Sequence, residues 1–455
     1  MDLSLELLSI QNPWWRGESL KFDPAIEQYN RQAIKRPADI LTAADLKQDK
    51  IYFLAGLKGA GKTTLMKLLI KKLIEEDKIQ PQRVFFYSCH NLDSYEQLNE
   101  IIKLFLNSRS GGRRYIFIDE IGLVKNWRKG LDYLIKAGKL KNTALALSAS
   151  SVDGKTEDER VIISRDVNNL TFREFANLIN PALFKKITPK NYQAHAKKLE
   201  YYLDIYFLTG GFISAIGDYQ KYGAVRQLIY VNFLHWFLAY ISRMGRDTIL
   251  TRQIMEKLIL NLGQPVGFKT LIHKTKAKTH LTAAGYVEML ENMLAVKTIY
   301  QTGVRGQASR KAKKVYFTDP FIFWLFYSYI HGSLDYWRFS RQRLHDGAVF
   351  SHLVENVVLS QLIKDENNLV TYWRDNIKKQ EINFIVESGK KITPILLRYG
   401  QEIRDDDFYV LKRGIIISQD RLETRGSVKI MPLIYFLLFG YLGQRHSVSC
   451  GHRVS

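Results

Sequence analysis

The chain has 455 residues, 46% of them hydrophobic and 25% charged, which allows several domains with buried cores and does not fit a disordered protein. Its 67 lysines and arginines exceed its 45 acidic residues, giving a formal net charge of +22. Such a charge favours polyanionic partners, nucleic acid first and an anionic membrane surface second, unless it serves only solubility.

Localisation signals point to a cytoplasmic protein. The N-terminus, MDLSLELLSIQNPWW, carries acids and no basic stretch, so it does not read as a secretion signal. The longest apolar run, residues 430–442, is too short to span a bilayer and contains Pro432. The two cysteines, Cys89 and Cys450, lie far apart, which argues against a disulfide framework or a zinc ribbon. We therefore expect no transmembrane segment and a reducing compartment.

The first predicted element is an N-terminal arm over residues 1–45, which contains QNPWWRGESLKFDP. Paired tryptophans usually anchor an extended segment on a neighbouring surface, so we expect this of Trp14 and Trp15. Stacking on nucleic-acid bases is the alternative.

Residues 46–180 alternate apolar strands with helical stretches, which predicts an α/β domain with a parallel sheet covered by helices. The predicted strands are 51–55, 83–88, 113–119 and 143–150. The predicted helices are 61–76, 95–107 and 127–138.

A phosphate-binding loop is predicted between the first strand and the first helix of this domain. The sequence GLKGAGKT fits GxxxxGK[ST], whose glycines free backbone N–H groups to surround phosphates at a helix N-terminus. Lys62 can reach the β- and γ-phosphates, and the hydroxyl of Thr63 can bind Mg²⁺. We therefore predict ATP and Mg²⁺ as ligands. The predicted ATP-binding residues are Gly56, Leu57, Lys58, Gly59, Ala60, Gly61, Lys62, Thr63 and Thr64.

The catalytic half of such a site is predicted at the ends of later strands. Asp119 follows the apolar run YIFI and would hold Mg²⁺ with Thr63, while Glu120 would polarise the attacking water. Ser148 could sense the γ-phosphate and orient water, although it and its neighbouring serines could equally cap the next turn. Arg165 follows the fourth strand and is a candidate arginine finger. The predicted catalytic residues are therefore Glu120, Lys62, Arg165 and Ser148.

Residues 181–245 read as a helical subdomain, and residues 246–320 as a winged helix with three helices and a two-stranded ribbon. Lys274, Lys276 and Lys278 precede the third helix, and the ribbon loop TGVRGQASRKAKK is basic without any acid. Such residues would contact DNA phosphates and make binding salt-dependent without reading sequence. The alternative is a lid or protein-interaction domain with a solvated basic loop. The candidate DNA contacts in the loop are Arg305, Arg310, Lys311, Lys313 and Lys314.

The segments GLKGAGKTTL, YIFIDEIGLVKNW, LALSASS and SRDVNNLTFREF together resemble a group of bacterial and archaeal P-loop ATPases of the AAA/STAND type. Members join an AAA-like domain to a winged helix and a C-terminal domain of PD-(D/E)xK nuclease ancestry. The resemblance implies a helical lid after the sheet, a nuclease-like mixed α/β domain over 321–443 and a tail at 444–455. The chain departs from the group where Ser148-Ala149-Ser150-Ser151 replaces Thr-Gly-Ser-Ser and Ser164-Arg165 replaces Gly-Arg.

The resemblance also implies where nuclease residues would stand. Glu355 fills the helix position, and Asn383 stands where aspartate is usual. Leu396 and Arg398 replace the glutamate and lysine of Glu-x-Lys. Because leucine cannot ligate a metal and arginine stays protonated, we expect a nuclease fold without nuclease activity, in which Arg398 could still hold a phosphate backbone. A strand pair of unrelated origin is the alternative.

The sequence thus predicts a Mg²⁺-dependent ATPase that couples hydrolysis to a conformational change on DNA. A nucleotide-controlled switch that acts through a protein partner, without DNA-dependent turnover, is the alternative. An ATP-driven nuclease is disfavoured by the lost positions. Arg165 acting in trans would require a homo-oligomer, and the sequence leaves cis and trans action open.

Overall fold

The computed structural model describes residues 4–31, 35, 42, 45–47, 50–108, 111–151, 162–302, 309–365 and 367–440. The chain forms two compact units. The first comprises the chain up to Asn169, Phe212–Tyr240 and Gly285–Val296, and the second comprises Leu170–Gly211, Ile241–Ala284 and the chain from Lys297 onward. Within the described ranges, no helix has both the length and the apolar character needed to cross a bilayer.

A parallel five-stranded sheet lies at the centre of the first unit, in the order β2-β3-β4-β1-β5. Four of its strands begin and end within one residue of the predicted bounds, so the predicted parallel sheet is confirmed. The fifth strand was not predicted, because only two of its residues are apolar and it lies at an edge of the sheet. The strands are β1 (Ile51–Ala55), β2 (Val84–Ser88), β3 (Arg114–Asp119), β4 (Thr143–Ala149) and β5 (Ile162–Asp166).

Helices cover both faces of this sheet, because alternate strand residues point to opposite faces. Phe53 and Ile116 pack with α4 and α5, defined below, while Leu54 and Phe117 pack with α3. The helices of this part of the chain are α1 (Leu5–Ser9), α2 (Pro24–Arg31), α3 (Lys62–Glu75), α4 (Tyr95–Ser108) and α5 (Trp127–Lys136).

The N-terminal arm covers the edge strand β2 with side chains rather than with another strand. Asn12 accepts a hydrogen bond from the Phe86 N–H at 2.7 Å and donates one to the Phe86 carbonyl at 3.0 Å. The indoles of Trp14 and Trp15 both donate to the Val84 carbonyl, at 3.0 and 2.9 Å. Trp14 is 2% exposed, which confirms that the tryptophans anchor the arm and leaves Trp14 no free face for a base.

The middle of the chain is mostly helical, as predicted for residues 181–245. The first of these helices begins where Thr171 and Glu174 form a capping box, each side chain bonding the other's backbone N–H. The helices are α6 (Phe172–Ile179), α7 (Pro181–Phe184), α8 (Ala196–Thr209), α9 (Ile213–Tyr222), α10 (Gln227–Arg243), α11 (Thr248–Leu260), α12 (Phe268–Ile272) and α13 (His280–Asn292).

A mixed eight-stranded sheet forms the C-terminal part, in the order β12-β13-β11-β10-β9-β8-β6-β7. The ribbon predicted as a wing, β6 and β7, continues this sheet through β8, so the predicted boundary at residue 320 falls within one sheet. The strands are β6 (Val296–Gln301), β7 (Ser309–Phe317), β8 (Asn368–Asp375), β9 (Gln380–Ser388), β10 (Lys391–Leu397), β11 (Gly414–Ser418), β12 (Glu423–Arg425) and β13 (Val428–Pro432). The helices are α14 (Pro320–Ile330), α15 (Tyr336–Arg343), α16 (Gly347–Leu362), α17 (Asp405–Leu411) and α18 (Leu433–Phe439).

Two of the five predicted DNA contacts are buried in this sheet. Lys313 is 3% exposed and lies over the ring of Phe268, while Lys314 is 0% exposed and bonds two carboxylates. The prediction that these lysines contact DNA is therefore wrong, because strand pairing draws the end of the basic loop into the protein. Arg305, the side chains of Arg310 and Lys311, and the tail at 444–455 lie outside the described residues.

Candidate active site

The predicted phosphate-binding loop connects β1 to α3, and two of its glycines are sterically required. A Cβ atom on Gly56 would stand 2.4 Å from the Val167 carbonyl oxygen. Gly61, the residue that caps α3, has φ of +97°, a conformation that side chains rarely allow. No side chain at these two positions therefore covers the backbone at the N-terminus of α3, where free N–H groups favour binding of anions.

Lys62 is buried and makes three hydrogen bonds, two of them inside the loop. Its ammonium donates to the carbonyls of Gly56 and Leu57, at 2.7 and 3.0 Å, and to the Ser150 hydroxyl at 2.9 Å. Burial lowers the pKa of Lys62 to about 8, against the opposing effect of the Glu120 and Asp119 charges. Because an ammonium has three N–H donors, a phosphate oxygen bound by Lys62 would have to replace at least one of these partners.

Thr63 and Asp119 come together as predicted for a Mg²⁺ site. The Thr63 hydroxyl donates to Asp119 Oδ2 at 2.7 Å, across 56 residues of sequence. The other carboxylate oxygen of Asp119 accepts a bond from the Ser148 hydroxyl. A hydroxyl and a carboxylate beside a phosphate-binding loop are oxygen ligands that suit Mg²⁺, so these residues fit the ion.

Glu120 lies directly after β3 in an uncommon backbone conformation, with φ of +55° and 3% exposure. Oε1 accepts bonds from the Ser150 hydroxyl at 2.6 Å and from Lys58 Nζ at 3.1 Å, and Oε2 accepts one from the Ser150 N–H at 3.1 Å. Burial alone would raise the pKa of Glu120, but the Lys62 and Lys58 charges and these hydrogen bonds lower it to about 2. Glu120 is therefore a carboxylate.

Two serine hydroxyls at the end of β4 and just after it contact the two acidic residues. Ser148 contacts Asp119 and accepts a hydrogen bond from the Glu120 N–H at 3.1 Å, so it lies at the site as predicted. Ser150, which the sequence did not favour, connects Lys62 to Glu120. Spacing could have identified it, because residues two apart at a strand end point to the same side.

Arg165 lies on β5, paired with Leu54 of β1, the strand that leads into the phosphate-binding loop. Its side chain lies outside the described residues. Its role as an arginine finger therefore stays a prediction.

Glu355 and Asn383, two of the residues that align with a nuclease site, come together in the second unit. Glu355 Oε1 accepts bonds from Asn383 at 3.2 Å, from Lys314 at 3.2 Å and from the Tyr316 hydroxyl at 2.6 Å. Glu381 is the second carboxylate on Lys314, with its Oε1 atom 2.5 Å from Nζ. These carboxylates are thus paired with a lysine of the protein itself, and Glu381 also lies 3.6 Å from Arg374.

The other two residues, Leu396 and Arg398, do not join this cluster, so the predicted grouping is wrong. Ile395 pairs with Phe384, whose ring contacts Tyr316, and the following residue Leu396 points to the opposite face of the sheet. There Leu396 packs in an apolar cluster, and Arg398 bonds both carboxylate oxygens of Asp407 on α17. Asp407 occupies the guanidinium that was expected to hold phosphate. Among the described residues, no group of three or more His, Cys, Asp or Glu side chains is placed to bind a metal ion.

Two segments of the chain match models of known protein families. Residues 48–176 match the family model described as an AAA domain, and residues 350–426 match a domain of unknown function (DUF4143). A comparison with curated proteins found no match. A match to the AAA family implies nucleotide binding, typically with Mg²⁺.

Several solved structures of P-loop ATPases are distantly similar. The Aeropyrum pernix ORC1 protein, solved in complex with DNA, is 15% identical with a TM-score of 0.31, over 67% of this chain and 88% of that one. A variant of Thermotoga maritima RuvB is 16% identical with a TM-score of 0.29, over 65% of this chain and 89% of that one. A STAND protein with a tetratricopeptide repeat sensor from Pyrococcus horikoshii is 10% identical with a TM-score of 0.25, over 72% of this chain and 48% of that one.

These likenesses are too distant for any functional argument. The family match and the phosphate-binding loop agree on the first part of the chain. Residues 48–176, which match the AAA domain model, contain the phosphate-binding loop between β1 and α3, and residues 350–426 match a family without an assigned function.

Proposed function

We propose that this protein hydrolyses ATP in a Mg²⁺-dependent reaction and uses the cycle to change its conformation on DNA. The observation that carries the proposal is the grouping of Lys62, Thr63, Asp119 and Glu120 where β1 and β3 end. The pair Lys62 and Thr63 is far in sequence from the pair Asp119 and Glu120, yet hydrogen bonds connect them into one site, directly and through Ser148 and Ser150. Such a grouping suits attack of water on a γ-phosphate better than nucleotide binding alone.

Each side chain would have a separate task. Thr63 and Asp119 would hold Mg²⁺, which when bound neutralises charge on the phosphates. Lys62 would bind the β- and γ-phosphate oxygens, and Glu120 would accept a hydrogen bond from the attacking water. Arg165 would stabilise negative charge in the transition state, in cis or from a second copy of the chain.

The DNA part of the proposal rests on charge and exposure. The chain carries a net charge of +22, and the segment between α12 and α13 exposes Lys274, Lys276 and Lys278. Together with α11, α12, α13 and the ribbon β6–β7, this segment has the element order expected of a winged helix. These lysines are better candidates for phosphate contacts than the buried Lys313 and Lys314.

A nucleotide-controlled switch acting through a protein partner is the second candidate function. It is favoured by Glu120, since three hydrogen bonds occupy most of the roughly four acceptor positions of its carboxylate. A base held in this way would make turnover slow until a partner or ligand released it.

The test is steady-state ATP hydrolysis by the full-length wild type and by Glu120→Gln, each with and without duplex DNA and at two salt concentrations. We expect Mg²⁺-dependent turnover that DNA stimulates, that falls by two to four orders of magnitude in the variant, roughly the contribution of a general base, and whose stimulation weakens with salt. Binding of a fluorescent ATP analogue to both proteins would show that the variant retains its nucleotide site.

Two results would count against parts of the proposal. Turnover that is indifferent to DNA at both salt concentrations would remove the DNA role and favour the switch. Turnover that survives in Glu120→Gln would show that another group activates the water.

A further inference from the structure

Lys58, the third residue of the phosphate-binding loop, contacts Glu120 rather than pointing into solvent. Its Nζ lies 3.1 Å from Glu120 Oε1, and its side chain is 29% exposed while that of Glu120 is 5% exposed. The carboxylate that would activate water is therefore paired with a cation carried by the loop that would bind the phosphates.

The Lys58 bond closes a ring of side chains between the loop and Glu120. Lys62 donates to the Ser150 hydroxyl at 2.9 Å, and that hydroxyl donates to Glu120 at 2.6 Å. Lys58, in the same loop as Lys62, donates a hydrogen bond to Glu120 Oε1 at 3.1 Å. Both lysines of the loop thus contribute hydrogen bonds that hold Glu120, Lys58 directly and Lys62 through the Ser150 hydroxyl.

A bound triphosphate would compete for these lysines. A triphosphate with its several negative charges would attract the Lys58 ammonium in competition with the single charge of Glu120, and both bonds would be charge-assisted. Lys62 also bonds two carbonyls of its own loop, whereas the only hydrogen-bond partner of the Lys58 ammonium among the described residues is Glu120. Lys58 is therefore the loop cation whose movement toward phosphate would alter Glu120 most directly.

We propose that Lys58 is a positioning residue for Glu120, which it holds until the terminal phosphate of a nucleoside triphosphate draws its ammonium away. This rests on the proposed function, since it takes the loop as the nucleotide site and Glu120 as the base. It explains how a carboxylate with three hydrogen bonds could become available only when substrate is present.

The test is a double-mutant cycle on the affinity for a non-hydrolysable ATP analogue with Mg²⁺, measured by calorimetry on the full chain. Wild type, Glu120→Gln, Lys58→Met and the double variant are compared, with Lys58→Arg as the conservative replacement and Lys72→Met, an exposed lysine of α3, as the matched control. If Glu120 competes with phosphate for Lys58, Glu120→Gln should tighten binding roughly tenfold, the scale of one charge-assisted hydrogen bond. That gain should vanish in the Lys58→Met background and return when Glu120→Gln is combined with Lys58→Arg.

Simple repulsion between Glu120 and phosphate predicts the opposite pattern. The gain from Glu120→Gln would then persist or grow when Lys58 is removed, and that result would overturn the proposal. An equally large coupling with ADP would also overturn it, because ADP lacks the terminal phosphate.

The outcomes separate this proposal from the proposed function. Absence of nucleotide binding by the wild type would refute the function, and with it the role of Lys58. Binding by the wild type with additive effects of the two substitutions would refute the role of Lys58 alone.

Discussion

Lys314 shows how one buried cation depends on its partners. Its side chain is 0% exposed, and Glu355 and Glu381 provide the opposite charges at 3.2 and 2.5 Å. Burial, together with the Glu381 charge, also raises the pKa of Tyr372, whose ring lies beside the Lys314 ammonium, to about 12. Removing one partner from such a group leaves charge in a medium that solvates it poorly.

We expect Lys314→Met to lower the free energy of unfolding by about 3–5 kcal/mol, because two carboxylates would lose their buried cation. The measurement is guanidinium denaturation followed by circular dichroism. Lys390→Met, at an exposed lysine in the β9–β10 turn, is the matched control and should change stability by less than about 0.5 kcal/mol. Equal effects of the two substitutions would show that the Lys314 cluster contributes no special stability.

The sequence does not show that Lys314 is buried while other residues of the same basic stretch are not predicted to be. It stands in RKAKK beside residues that read as a solvated basic loop, and the carboxylates that bury it come 41 and 67 residues later. Pairing partners at such separations depend on strand order, which local pattern does not reveal. Ser150 was missed for a different reason, because its spacing from Ser148 places both on one side of the strand end and only Ser148 was chosen.

At the scale of single elements, the arm that covers β2 makes a testable contribution to stability. Asn12 is 0% exposed and satisfies both backbone groups of Phe86. We expect Asn12→Ala to destabilise the protein by about 1–3 kcal/mol, since it leaves a buried N–H and a buried carbonyl without partners. Thermal unfolding of Asn12→Ala and of Asn30→Ala, an exposed residue of α2, would measure the difference. If the two variants melt together, the arm does not stabilise the sheet.

The sequence predicted β1 to β4 because strands buried on both faces are continuous apolar runs between turns. It missed β5, in which Ser164, Arg165 and Asp166 follow two isoleucines. The resemblance also placed Leu396 and Arg398 with Asn383, a grouping that would need regular alternation along β9. The pairing of β8 with β9 shifts register between Thr371 and Trp373. A β-bulge changes which residues of a strand lie on the same face of the sheet, and the local sequence pattern does not predict this bulge.

For the candidate site, the sequence was sufficient to predict which residues lie together where the backbone geometry of a parallel sheet determines their positions. The carboxyl ends of neighbouring parallel strands meet at one edge of a sheet, so residues after β1, β3 and β4 had to lie together. The sequence was insufficient to predict the contact of Lys58 with Glu120. A long flexible side chain can reach several acceptors, and the sequence motif does not indicate which one it bonds.

At the scale of the whole molecule, the net charge of +22 predicts salt-sensitive binding to DNA. Neutralising Lys274, Lys276 and Lys278 together should weaken binding about equally for different sequences. It should also reduce the slope of log K against log salt concentration by about 3, roughly one for each lost phosphate contact. Fluorescence anisotropy over a salt series would measure both. An unchanged slope would show that these lysines do not contact phosphate.

The N-terminal arm has a consequence for how the chain is made. Trp14 lies 70 residues before its partner Val84, so at roughly 5–20 residues per second the ribosome needs about 4–14 s to reach β2 after the arm is synthesised. The arm is thus already available when the edge strand emerges. We therefore expect a nascent β2 to exchange water for Asn12 and the two indoles, which would leave fewer unpaired edge groups for a strand of another chain.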